Sequence, residues 1–78
     1  MTIAELDSVK SIVDKPEENM KKGMIGTVVH IANKPNLAYM VEFCDNYGRP
    51  MAMPFLLPDE VVKIENLTKE EYSGLLQN

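Results

Sequence analysis

Apolar and polar residues alternate along much of the chain, and this pattern predicts short β-strands. The clearest case is "AYMVEFC" (38–44), where Tyr39, Val41 and Phe43 occupy every second position. Successive side chains of a strand point to opposite faces, so these three residues are expected on one face and the residues between them on the other.

Four further segments have strand composition, and turn residues separate them. The segments are "LDSVKSIV" (6–13), "MIGTVVHIA" (24–32), "PMAMPFLL" (50–57) and "VVKI" (61–64). In the second of these, a period of two predicts a shared face for Ile25, Thr27, Val29 and Ile31. In the third, Pro50 and Pro54 remove donors from the hydrogen-bond ladder, so the segment is expected at a sheet edge or bent.

Together these elements predict an all-β fold in a single domain. Five short strands with tight turns favour a small five-stranded SH3-like barrel over residues 6–64, because closure removes the exposed edges of a flat sheet. Residues 65–78 are interpreted as an appendage with a short C-terminal helix. Thr68 and Glu71 have capping-box spacing, and an apolar stripe would be formed by Tyr72, Leu75 and Leu76.

The glycine pair in "KKGMIGTVVHI" (21–31) could belong to a phosphate-binding loop or to a chain reversal. A phosphate loop would continue with Lys and Ser or Thr into a helix, whereas Gly26 is followed by β-branched residues. We therefore expect Gly23 in a turn with positive φ and Gly26 at a close approach of strands. Gly26→Val is expected to cost roughly 1–3 kcal/mol through strain at this crossing.

Length and charge restrict the classes of function. A chain of 78 residues supports one small core and seldom a deep pocket, which argues against an enzyme. Twelve acidic and eight basic residues give a net charge of −4, and the largest basic cluster is Lys21-Lys22. Nucleic acid is therefore an unfavourable partner, and a basic protein is a favourable one.

The sequence contains few residues suited to catalysis or metal binding. Cys44 is the only cysteine and cannot form an internal disulfide, and His30 is the only histidine. A Cys–His dyad is conceivable across the sheet, but no third orienting group accompanies it. We predict no catalytic residues, metal or cofactor. The acidic N-terminus lacks the features of a signal peptide, and no apolar run reaches membrane-spanning length, which predicts a cytoplasmic protein.

An ordered set of motifs resembles a known family. The motifs are Leu6-Asp7-x-Val9, Pro16-Glu17, Lys22-Gly23-x-x-Gly26-Thr27-Val28-Val29 and Tyr39-x-Val41-Glu42-Phe43-x-Asp45-x-x-Gly48. In this order they resemble the small bacterial SH3-like proteins catalogued as domain-of-unknown-function family 4926, over about residues 6–64. The glycine-strand portion is also similar to the KOW segment of ribosomal and transcription proteins. The resemblance implies an SH3-like barrel without an agreed activity. Pro50, Pro54 and the tail from residue 65 depart from the family pattern.

Predicted loops contain the candidate residues for binding a partner. Carboxylates there are normally just solvated, and the alternative is that some converge into an acidic face with an aromatic and a guanidinium anchor. The candidates are Glu17, Glu18, Asp45, Tyr47, Arg49, Asp59 and Glu60. For Met40, Met51 and Met53 we favour core filling over an exposed contact surface.

These observations favour a non-enzymatic protein-binding module. The preferred hypothesis is an immunity or antitoxin-like protein that binds and neutralises a basic bacterial toxin, since such toxins tend to carry positive sites. The alternatives are a KOW-like nucleic-acid or ribosome-associated module and an accessory subunit of a larger enzyme.

Overall fold

The computed structural model describes residues 2–64, which form one mostly β, antiparallel arrangement of six strands. The strands are β1 (Ser8–Ser11), β2 (Ile25–Ala32), β3 (Ala38–Cys44), β4 (Pro50–Ala52), β5 (Phe55–Leu56) and β6 (Val61–Ile64). Across the sheet the order is β4-β3-β2-β1-β6, and β5 also pairs with β3. Two 3₁₀ turns, Pro16–Glu18 and Pro58–Glu60, lie in the connections. The predicted C-terminal helix and its stripe lie outside the described residues.

Two features of the predicted barrel are wrong. The segment 50–57 lies at the sheet edge through β4, as its prolines predicted, but the single strand expected there is divided into β4 and β5, because Pro54 has no N–H for the ladder. Its carbonyl still accepts a hydrogen bond from Val41 N at 3.0 Å, so the segment continues along β3. Within residues 2–64, β4 and β6 at the two ends of the strand order do not pair with each other, so the sheet is not a closed barrel.

The core lies on one face of β3, as the alternation predicts. Tyr39, Val41 and Phe43 are all buried. They pack with the other buried apolar side chains of the described residues, which are Val9, Met20, Val28, Leu56 and Val61. Burial of this cluster is the main source of stability for so short a chain.

A β-bulge in β2 changes the predicted facing of that strand. Thr27 pairs with Glu42 and Val28 with Val41, but after the bulge His30 pairs with Met40. The extra residue, Val29, reverses the alternation. As a result Ile31 packs against the core, and the prediction that it shares a face with Thr27 is wrong.

Both glycines of the pair have the predicted structural roles. Gly23 has φ +93° in the turn that enters β2. Gly26 is buried at the crossing with β3, where an added Cβ would lie 2.7 Å from Glu42 O, 2.7 Å from Val41 Cγ1 and 2.8 Å from Phe43 Cδ1. A side chain at position 26 would therefore force the two strands apart.

Candidate protein-binding surface

The loop between β3 and β4 is organised by the carboxylate of Asp45. Asp45 Oδ1 accepts hydrogen bonds from Tyr47 N at 2.8 Å and Arg49 N at 2.9 Å, and Oδ2 accepts one from Arg49 Nε at 2.9 Å. These bonds, with Arg49 N–H the largest cause, lower the pKa of Asp45. Gly48 completes the turn with φ +77°. The Asp45 carboxylate is therefore occupied within its own loop.

Tyr47 remains the most accessible aromatic side chain of the described residues. It is 81% exposed, and the guanidinium carbon of Arg49 lies 5.1 Å from its ring centroid. The stacked pair presents a flat aromatic and cationic surface at the loop tip.

A second group of predicted residues is joined by Lys15. Lys15 Nζ lies 3.1 Å from Glu60 Oε2 and 3.9 Å from Glu18 Oε2. Glu60 Oε1 also accepts a hydrogen bond from Leu57 N at 2.8 Å. The Leu57 bond, followed by Lys15, lowers the pKa of Glu60. The two 3₁₀ turns are thus connected through one lysine.

The predicted binding residues therefore form two groups rather than one acidic face. Within residues 2–64, no hydrogen bond or ion pair joins the Asp45 loop to the Lys15 group. Glu17 and Asp59 are exposed and make no ion pair with a described residue. The binding role of all these residues stays a prediction.

The strand register separates Cys44 from His30. His30 lies opposite Met40 on β3, four positions from Cys44. At a rise of roughly 3.3 Å per residue, this offset corresponds to about 13 Å along the sheet, too far for a Cys–His dyad. The Cys44 thiol instead lies 3.9 Å from Glu42 Oε1. Within residues 2–64, no three His, Cys, Asp or Glu side chains are placed to hold a metal ion, and no helix is long and apolar enough to cross a membrane.

The solvent side of β2, β3 and the β4–β5 segment forms an ordered surface that we call the outer face. Paired residues of neighbouring strands share a face, so the register arranges their side chains in rows across the sheet. Met40 pairs with His30 on one side and Phe55 on the other. The same register sets Glu42 between Thr27 and Met53. The outer face comprises Thr27, His30, Met40, Glu42, Met53 and Phe55, with Met51 beside it.

The apolar members of this surface are well exposed. Met51, Met53 and Phe55 are 42%, 47% and 46% exposed, respectively. The interpretation of Met51 and Met53 as core residues is therefore wrong, and the methionine that fills the core is Met20. Because Ala52 and Leu56 face the core, the side chains that alternate with them along this segment, Met53 and Phe55, face solvent.

An open groove continues the apolar surface beyond Phe55. It has a volume of about 310 Å³ and lies between the β2–β3 turn and the segment around β5. Its lining residues are Ala32, Lys34, Pro35, Asn36, Ala38, Phe55 and Leu57. The sequence of either wall does not predict this groove. The β2–β3 turn and the segment around β5 are about twenty residues apart in the chain and meet only when β5 pairs with β3.

Charge on the outer face is confined to one carboxylate. Glu42 is half-buried, and it forms no ion pair with any residue between 2 and 64. Its carboxylate lies beside the Cys44 thiol; burial, followed by the charges of Glu42 and Asp45, raises the pKa of that thiol. The outer face thus combines apolar side chains with the polar Thr27 and His30 and with one carboxylate that has no counter-ion among residues 2–64.

The family model of DUF4926, a domain of unknown function, matches residues 5–63 and confirms the resemblance to that family. No curated protein and no solved structure matches the chain.

Proposed function

This chain belongs to the DUF4926 family, a domain of unknown function, and from its surface we propose that it is a non-enzymatic protein-binding module. The outer face is the observation that supports this proposal. Burying a large apolar side chain is worth about 1.5–3 kcal/mol when it starts fully exposed, so each of Met53 and Phe55, half exposed, contributes roughly 1 kcal/mol on docking. Methionine also adapts its shape to a partner.

The partner is a basic protein. The net charge of the chain is −4, and three of its cations, Lys15, Arg49 and Lys63, already form ion pairs with its own carboxylates. The net negative charge disfavours a polyanion, whereas a positive protein surface is attracted. An immunity or antitoxin-like protein that covers the positive site of a bacterial toxin has these properties.

Docking uses the face of the sheet rather than its edge. An exposed edge strand can accept a partner strand through its free N–H and C=O groups. Pro50 removes an N–H from β4, and β4 is only three residues long. These features disfavour strand addition there and leave side-chain contact as the mode of binding.

An open SH3-like arrangement is part of the same proposal. Its support is the strand order β4-β3-β2-β1-β6 together with the 3₁₀ turn, Pro58–Glu60, directly before β6. Small curved sheets of this kind bind partners through surface side chains and loops rather than through a deep pocket.

Co-expression with a basic toxin encoded beside the gene tests the proposal. The wild type should restore growth and form a complex on size exclusion. Met53→Ser and Phe55→Ser should weaken both effects. Val62→Ser is the matched control, because Val62 is 40% exposed on β6, at the opposite end of the strand order from β4. Absence of both rescue and complex contradicts the toxin assignment. RNA binding that weakens with salt would instead favour the KOW-like alternative, and co-purification with an enzyme would favour an accessory subunit.

A further inference from the structure

Glu42 occupies an unusual position on the outer face. Its side chain lies in the row between Thr27 and Met53, next to the row that contains Met40 and Phe55. The nearby Asp45 carboxylate is neutralised by Arg49 at 2.9 Å, but Glu42 has no cation among residues 2–64. Among residues 2–64, this half-buried carboxylate therefore has the Cys44 thiol at 3.9 Å but no counter-ion.

Docking of a partner would remove the remaining water from this carboxylate. Burying a charged group without a counter-ion or hydrogen-bond donors is strongly unfavourable. With a purely apolar partner, the free-energy cost of desolvating Glu42 would cancel much of the binding free energy gained by burying Met53 and Phe55. A cation placed against Glu42 offsets the loss of water, and a guanidinium can form two hydrogen bonds to the carboxylate at once.

Resting on the proposed function, we propose that Glu42 selects the partner. The outer face binds a protein segment that places one arginine or lysine on the Glu42 carboxylate and apolar side chains on Met40, Met53 and Phe55. The carboxylate supplies specificity by penalising segments without a cation, while the apolar residues supply affinity.

The same carboxylate argues against a second copy of this chain as the occupant. In a two-fold dimer the same patch meets itself, so two copies joined through their outer faces would bury two carboxylates near each other. The outer face contains no lysine or arginine to neutralise them. Like charges brought together at an interface cost several kcal/mol, so the face is unsuited to self-association.

Selection from a displayed library of random peptides tests this inference, because it does not require the partner to be identified. Wild-type protein should enrich peptides that contain an arginine or lysine between apolar residues. Glu42→Gln should bind these peptides at least tenfold more weakly, because a positive charge then lacks its partner. It should bind variants of the same peptides with a neutral residue at that position as well as, or better than, the wild type. Glu5→Gln is the matched control, since it removes the same charge from an exposed site before β1 and should leave binding unchanged.

Phe55→Ser separates failure of the inference from failure of the proposed function. If enriched peptides lose binding with Phe55→Ser but ignore Glu42→Gln and lack cations, the outer face binds proteins and the role of Glu42 is wrong. If no enriched peptide depends on Phe55, the outer face is not a docking surface and both proposals fail. Far-ultraviolet circular dichroism and melting temperature establish that each variant is folded. If either variant is unfolded, Glu42→Ala or Phe55→Ala replaces the corresponding substitution in the same comparison.

Discussion

Gly26 shows how closely the backbones of β2 and β3 approach. A Cβ there would lie 2.7 Å from a main-chain oxygen, which cannot move aside as the end of a side chain can. The loss of stability of roughly 1–3 kcal/mol that the sequence predicts for Gly26→Val is therefore expected already for Gly26→Ala.

Gly26→Ala is expected to lower the free energy of unfolding by about 1–3 kcal/mol, and Gly26→Val by more, because the strands must separate. Gly48→Ala is the control: nothing lies within 4 Å of its Cβ position, and only its φ of +77° is unfavourable, at about 1 kcal/mol. Urea unfolding measures all three. Equal losses for the two alanine variants would contradict the close approach.

The reactivity of Cys44 reports on its surroundings. Burial and the neighbouring carboxylates of Glu42 and Asp45 raise its pKa, so less thiolate is present at pH 8. Alkylation by iodoacetamide should be slower in the folded protein than in urea. Glu42→Gln should increase the folded-state rate, since it removes one negative charge from beside the thiol, while Glu17→Gln should not. An unchanged rate in Glu42→Gln would mean that Glu42 does not act on Cys44.

At the scale of elements, Glu60 connects the two 3₁₀ turns. Its carboxylate caps the Pro58–Glu60 turn through Leu57 N and pairs with Lys15, while Glu60 N donates to Leu57 O at 2.9 Å. A single side chain thus fixes the residues before β6 against the long β1–β2 connection.

Glu60→Ala is expected to destabilise the protein by about 1–2 kcal/mol, because it removes both the cap and the ion pair. Glu60→Gln keeps an oxygen that can accept from Leu57 N and should cost less than half as much. Thermal unfolding at pH 7 distinguishes the two variants. A larger loss for glutamine than for alanine would show that the cap is unimportant.

The sequence predicts elements well where local pattern decides them. The alternation around Val41 fixes both the position and the facing of β3, and glycine chemistry fixes the turn at Gly23. The bulge at Val29 is not predictable in this way, because it depends on how β2 is matched to β3. The prolines indicate a break between β4 and β5, but the pairing of β5 with Tyr39 depends on the folded sheet.

The candidate surface is harder to predict than the fold, for a physical reason. Carboxylates in loops look alike in a sequence, yet Asp45 is satisfied within its own loop and Glu60 by Lys15, forty-five positions away. Exposure of Met53 depends on which side of an edge strand faces the core. The composition of the outer face could be predicted only if the register of three strands were known.

At the scale of the whole molecule, three carboxylates make the folding stability depend on pH in the acidic range. A hydrogen bond from Ala4 N at 2.8 Å is the main cause that lowers the pKa of Asp7. Hydrogen bonds from backbone N–H groups likewise lower the pKa values of Asp45 and Glu60. Each therefore binds a proton less readily in the folded than in the unfolded chain. Their stabilising effect is complete above the ordinary carboxyl pKa and is lost as the pH falls through the lowered folded-state values.

The melting temperature should accordingly change little through these groups between pH 5 and 7 and fall below about pH 4. Asp45→Asn should make the acid-induced fall shallower, because one of the three groups no longer titrates. Asp59→Asn is the control, since the side chain of Asp59 makes no hydrogen bond or ion pair with residues 2–64. A melting temperature that rises on acidification would contradict the sign of this linkage.

The two faces of β3 have a consequence for engineering. Tyr39, Val41 and Phe43 hold the interior together, while Met40 and Glu42 alternate with them and face outward. The outward positions can therefore be randomised without altering the packed interior, together with Met53 and Phe55 beside them. A combinatorial library at these four positions would convert the domain into a compact, disulfide-free scaffold for made-to-order binding reagents.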